Sequence, residues 1–211
     1  MTELTDNLLQ LFCIFICGCH SCVLTIRSRS YKRLLVSLFY LSFGMGLTYW
    51  VLYLILFGTS PLVFCVSELS WTASYIFLAL RLYADIPKEK HKNKAVFWIL
   101  PAFSVAIGIF FCTRGSYFEN ILMGTAMGVL GYYAVKGIFL AKIRNRSGKP
   151  LIFYAALFFY AAEYLLWISS YFITENTIVS PYYLVDIFIL NPALILIAAV
   201  QSKEETLCRT T

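Results

Sequence analysis

Apolar residues fill this chain in long, nearly unbroken runs, separated by short polar segments. Seven of these runs are long enough, at about 20 residues, to cross a hydrocarbon layer about 30 Å thick: 7–26, 34–57, 62–83, 95–112, 118–141, 151–173 and 181–201. The polar segments between them are Arg27 to Arg33, Gly58 to Pro61, Asp85 to Lys94, Thr113 to Ser116, Lys142 to Pro150 and Thr174 to Ser180. A membrane β-barrel would show segments of about ten residues with alternating polarity, and none is evident, so helices are the expected spanning element. The pattern predicts one all-α integral membrane domain over residues 1–211 with seven transmembrane helices.

Composition strengthens this. Of 211 residues, 60% are apolar and 13% charged, with a mean hydropathy of +0.76. Soluble domains run at about 45–50% apolar and about a quarter charged, and a chain this short cannot enclose so much hydrocarbon in water. The 18 Phe and 15 Tyr exclude a disordered chain.

Charge then orients the spans. Arg27, Arg29, Lys32 and Arg33 lie in the first loop, Lys88, Lys90, Lys92 and Lys94 in the third, and Lys142, Arg144, Arg146 and Lys149 in the fifth. The even-numbered loops hold only Arg114. Basic residues near span ends stay in the cytoplasm, which places the N-terminus outside and the tail with Lys203 and Arg209 inside. The net charge of +6 therefore belongs to the inner membrane face, and no nucleic-acid partner is expected. Glu3 and Asp6 precede the first run and arginines follow it, the reverse of a signal peptide, so this span is expected to remain in the mature protein. The expected setting is a bacterial inner membrane or a eukaryotic plasma membrane or endomembrane.

The chain matches itself at an offset of 117. Ile26 to Leu34 lies over Ile143 to Leu151, sharing the Ile-Arg-x-Arg-Ser start, and Trp50 falls on Trp167. With three residues inserted in the second copy, Ser60-Pro61 falls on Ser180-Pro181. This suggests parallel repeats over 7–84 and 118–201, joined by a linker helix at 95–112. Such a three-plus-one-plus-three arrangement resembles the sugar carriers and PQ-loop proteins and, more distantly, the opsins. No Pro-Gln pair occurs, and the last span has no lysine for a retinal Schiff base, so no family is assigned.

Candidate chemistry lies in the ionisable residues inside the runs, each costing about 2.5–3.5 kcal/mol at the bilayer centre on insertion scales. Arg81 and Lys136 sit near cytoplasmic span ends, where long side chains reach the interface. Glu68, Glu163 and Asp186 are too short for that, and all three fall roughly 7–15 Å below the outer surface at 1.5 Å per residue. Facing inward together, they would form an acidic cavity whose charge needs a proton or a cation to offset it. Trp71, Tyr164 and Trp167 flank them and suit an organic cation through cation–π contact. These six residues are the expected ligand-binding or proton-coupling set. The alternatives are that each acid is satisfied separately by a local neighbour, and that the aromatics form an interfacial belt.

Asn191-Pro192 and Pro101 are expected kink or gating points, with Asn191 able to bond a carbonyl freed by the proline. Asn191-Pro192 resembles the Asn-Pro kink in the last span of rhodopsin-like receptors, with Ile195 where the motif's tyrosine would stand. Gly124, Gly128 and Gly131 form a small-residue face for close helix packing, which also admits a homo-oligomer contact. Cys13, Cys17, Cys19 and Cys22 lie in span 1 with His20. They suit small apolar packing; acylation and a redox or metal role are the alternatives. No phosphate loop, H-E-x-x-H or G-x-S-x-G motif occurs, so no cofactor, metal or catalytic set is expected. Three functions remain. The first is a carrier for a small, cationic solute. The second is a seven-helix sensor signalling to a cytoplasmic protein at its basic loops. The third is an intramembrane lipid-modifying enzyme.

Overall fold

The computed structural model describes residues 2–61, 66–87, 94–113, 115–143, 151–172 and 180–209. These residues form helices and turns, with no strand among them. The helices are α1 (Thr2–Ser28), α2 (Tyr31–Phe57), α3 (Val66–Tyr83), α4 (Ile99–Cys112), α5 (Tyr117–Ile143) and α6 (Leu151–Phe172). A 3₁₀ turn over Ala95–Trp98 leads into α4. The last rod consists of α7 (Pro181–Val185), a π-helical turn (Asp186–Leu190) and α8 (Asn191–Arg209).

Among the described residues, six segments are long and apolar enough to cross a membrane: Glu3–Ser28, Tyr31–Phe57, Ala95–Cys112, Tyr117–Ile143, Leu151–Ser170 and Pro181–Lys203. Their outer faces fit a lipid surround, with Phe15 67%, Leu56 73% and Phe188 68% exposed, where water would penalise such a belt. The seventh expected run is represented by α3, which is not among the six. Its 18 described residues include Glu68, Arg81 and four Ser or Thr side chains. Ser67, Ser70, Thr72, Ser74 and Arg81 are buried, so α3 carries its polarity inward.

Neighbouring helices close a ring: α1 packs on α2, α2 on α3, α3 on α5, α5 on α6, α6 on α8, and α8 on α1. Outside the ring, α4 leans on α5. Small residues allow that approach. A Cβ on Gly124 would meet the Ser104 carbonyl at 3.1 Å, and one on Gly108 the Asn120 carbonyl at 3.1 Å. The small face of α5 is thus used inside the chain, against α4. The ring is filled by aromatic side chains: Phe159 of α6 packs edge-on to Phe39 of α2 at 5.3 Å and lies 5.9 Å from Tyr75 of α3. Phe39, Tyr75 and Phe159 are at most 1% exposed.

One sequence expectation is corrected by this packing. Arg81 does not reach along lipid to the interface: it is 2% exposed and donates to Asp85, which also accepts from Lys32. Lys136 is half-buried and donates to the Tyr132 hydroxyl at 3.2 Å. Of the basic residues in the third and fifth loops, Lys88, Lys90, Lys92, Arg144, Arg146 and Lys149 lie outside the described residues, as does Arg114 of the fourth.

Candidate functional site

At the end of the ring that carries the chain's N-terminus, the helices part around a cavity of about 500 Å³. Glu3 and Gln10 of α1, Glu163 of α6 and Asp186 of the last rod supply its polar wall. Trp50 of α2, Trp71 of α3 and Trp167 of α6 supply aromatic surface, and Phe43 and Tyr75 belong to the same lining. No lysine, arginine or histidine occurs among the described lining residues.

The acids differ in how they are held. The Glu3 carboxylate accepts the Trp50 indole N–H at 3.2 Å and the Ser60 hydroxyl at 2.7 Å, so two donors from α2 and its following turn satisfy it. Asp186 is 2% exposed, and its Oδ1 accepts from Gln10 Nε2 at 2.5 Å across 176 residues of chain. Asp6 of α1, 5% exposed, faces Asp186, and no described donor reaches either of its oxygens. Glu163 is 7% exposed with Tyr75 facing it, while its Oε1 is buried without a hydrogen-bond partner. Among the described residues neither that oxygen nor the Ser180 hydroxyl, also in the lining and 3% exposed, has a partner. Buried polar groups are almost always paired, yet the Glu163 acceptor, the Ser180 hydroxyl and the Trp71 indole N–H, all in one lining, have no partner among the described residues.

The tryptophan positions follow from close backbone packing. A Cβ on Gly46 would stand 2.8 Å from the Ser67 carbonyl and 3.0 Å from Trp71 Nε1. Glycine there lets α3 approach α2 and seats the Trp71 ring 5.6 Å from Trp50 and 6.3 Å from Phe43.

The last rod bends its hydrogen bonding at the site. Pro192 cannot donate a backbone N–H, and in a regular helix its ring would crowd the carbonyl of Phe188. The π-helical turn absorbs this, with the Asn191 N–H bonding the Asp186 carbonyl five residues back. Such turns are frequent at functional sites. The Asn191 side chain does not cap a freed carbonyl as expected: it is 6% exposed and neither polar atom has a partner among the described residues. Pro101 stands in the first turn of α4 just after the 3₁₀ segment, where a missing N–H costs little, and so it marks a helix start and no interior kink.

Of the six expected site residues, Glu163, Asp186, Trp71 and Trp167 share the cavity. Glu68 and Tyr164 are not among its described lining. Glu68 is half-buried, accepts the Ser67 hydroxyl at 2.8 Å and interacts electrostatically with Glu119 of α5. Tyr164 is 3% exposed and packs against Phe103 at 5.2 Å and Trp167 at 5.6 Å, supporting the wall from behind. Glu3, Asp6 and Gln10 were not anticipated, because a span beginning at residue 7 leaves the first two in the outer medium. The signal was present: Glu3, Asp6/Asn7, Gln10, Ile14 and Cys17 recur at three- and four-residue spacing, one face of a helix, while Phe12, Phe15 and Ile16 of the same helix are exposed.

The cysteines of span 1 are free thiols, and among the described residues no group of His, Cys, Asp and Glu has metal-holding geometry. His20, exposed, pairs with the Ser202 hydroxyl at 2.6 Å. Comparison with known proteins places the chain in no family: no family model, no curated protein and no solved structure matches it.

Proposed function

We propose that the protein is a seven-span carrier for a small organic cation, with the N-terminus outside and the cavity open to that side. The observation that carries this reading is Glu163, an acid buried at a cavity wall with one oxygen unpartnered, between Tyr75 and two tryptophan-bearing helices. An ammonium group would supply the missing donor, and the Trp71 and Trp167 faces would hold its organic part. Movement is favoured by the π-helical turn beside Asp186, where the last rod departs from the regular α-helical hydrogen-bond pattern. The proposed repeat supports a carrier as well: the equivalent pairs Trp50 and Trp167, and Ser60 and Ser180, all line the one cavity, as a two-fold arrangement of halves about a central site requires. With α3 as the seventh span, its inward polar face would be covered by α2 and α5.

A sensor is the second reading, favoured by the aromatic filling of Phe39, Phe159 and Tyr75, which closes the ring beyond the cavity. In a carrier this filling must open.

Benzylammonium, tetramethylammonium and sodium are the probes. Benzylammonium is expected to raise the midpoint of thermal unfolding in detergent as its concentration exceeds its Kd, and Glu163→Gln is expected to weaken that binding about 100-fold or more, since a charge-assisted bond to a desolvated group is lost. Tracer uptake into liposomes then separates the readings: binding with uptake supports the carrier, binding without uptake the sensor. No stabilisation by any of the three cations overturns the cation site.

A further inference from the structure

We propose that Asp6 and Asp186 form a proton-binding pair that releases a proton when a cation occupies the Glu163 site, making the protein a proton–cation exchanger. This rests on the cation reading above and adds the ion that is exchanged.

The pair stands on geometry. Both carboxyls are buried, 5% and 2% exposed, and they face each other from α1 and the last rod. A carboxylate is an acceptor only, so two of them can hydrogen-bond each other only with a proton between them. Gln10 Nε2 serves Asp186 Oδ1 at 2.5 Å, and neither oxygen of Asp6 accepts from a donor among the described residues. The described groups around the pair offer no positive charge to replace that proton. Glu3 and Cys13 face it from α1, Glu163 from α6, and Tyr182 from the last rod.

Exchange follows from the charge balance. Glu163 is close enough to Asp186 for direct electrostatic interaction. A cation bound at Glu163 adds one positive charge beside the buried pair, which favours the ionised form of that pair. The proton then leaves to bulk water, one positive charge entering and one departing. Linkage makes this reciprocal: protonation of the pair weakens cation binding by the same factor that the cation weakens the proton. The other carboxylate beside the pair, Glu3, already accepts from the Trp50 indole N–H and the Ser60 hydroxyl, which favours its charged form.

The test is calorimetric titration of the full chain in detergent with benzylammonium, run in phosphate and in Tris. The difference in apparent heat between the two buffers reads the protons released per cation. Wild type is expected to release about one proton per bound cation, and Asp6→Asn/Asp186→Asn to bind with near-zero release. Asp6→Asn alone, which leaves the Gln10–Asp186 bond in place, is the second variant and is also expected to abolish most of the release. Binding by wild type without proton release overturns the exchange and leaves the cation site standing. Unchanged release in Asp6→Asn overturns the assignment to this pair. Absence of benzylammonium binding overturns the cation reading itself.

Discussion

Asp85→Asn is expected to lower the free energy of unfolding by about 2–4 kcal/mol, measured by SDS titration of the purified protein, because it leaves the buried Arg81 guanidinium charged and without this carboxylate. The side chain of Arg81 is 3% exposed and that of Asp85 19%, so water replaces little of the lost interaction. Lys32, 46% exposed, joins the same carboxylate from the start of α2, and its exposed half contributes little. Burial alone would raise the Asp85 carboxyl, but the Arg81 and Lys32 charges outweigh it and hold the group below its ordinary value. A carboxyl held low in the folded state stabilises it above the unfolded pKa, about 3.9, and that contribution is lost as pH falls through the lower folded value. The gap between wild type and Asp85→Asn is therefore expected to be constant from pH 7 to about 5 and to close below about 4. A gap that instead grows on acidification would contradict the assignment. Replacing both partners, Arg81→Met with Asp85→Leu, is expected to recover most of the loss, since no buried charge is then left alone.

Gly137→Ala is expected to cost about 3 kcal/mol or more, at the upper end for overpacking. A Cβ at residue 137 would stand 2.0 Å from Cδ1 and Cε1 of Phe153 and 2.5 Å from its Cζ. That ring is 3% exposed in the core between α5 and α6, so it has no open space to move into, and the two helices must separate. The check is the thermal midpoint of Gly137→Ala against Gly137→Ala/Phe153→Leu. The smaller side chain should restore much of the loss. Equal midpoints for wild type and Gly137→Ala would show that α5 and α6 do not pack this closely.

Legibility of the site divides by residue. Glu163 and Asp186 stood out because an acid in a long apolar run has no local reason to be there. Trp71 and Trp167 were legible for the same reason, by proximity to acids on the same helices. Asp6 lay outside the expected span and was read as part of the outer medium, although its three- and four-residue relation to Glu3, Asn7 and Gln10 marks an inward helical face. Glu68 met the same criterion as Glu163 in the sequence, yet it stands away from the described lining, next to Glu119. Nothing in an apolar run distinguishes those two cases, because the rotation of α3 about its axis depends on its packing against α2 and α5. Arg81 shows the limit from the other side: its position near a helix end suggested reach to the interface, and its partner four residues on, Asp85, shows an internal ion pair.

The sequence alone determined that this is an apolar, multi-helical chain suited to a membrane, and it located most helix ends to within a few residues, as in the segment 95–112, while α1 starts at Thr2 and α8 runs to Arg209, beyond the expected 7–26 and 181–201. Those properties are local: length and hydropathy of a run decide whether a segment can pair its own backbone in lipid. Only the tertiary structure decided which acids share a cavity, which donors satisfy them and which oxygen is left over. Gln10 reaches Asp186 across 176 residues, and Trp50 and Ser60 reach Glu3 across 47 and 57. Those meetings depend on how helices distant in the chain rotate and close on one another, a property of the assembled ring that no single run contains.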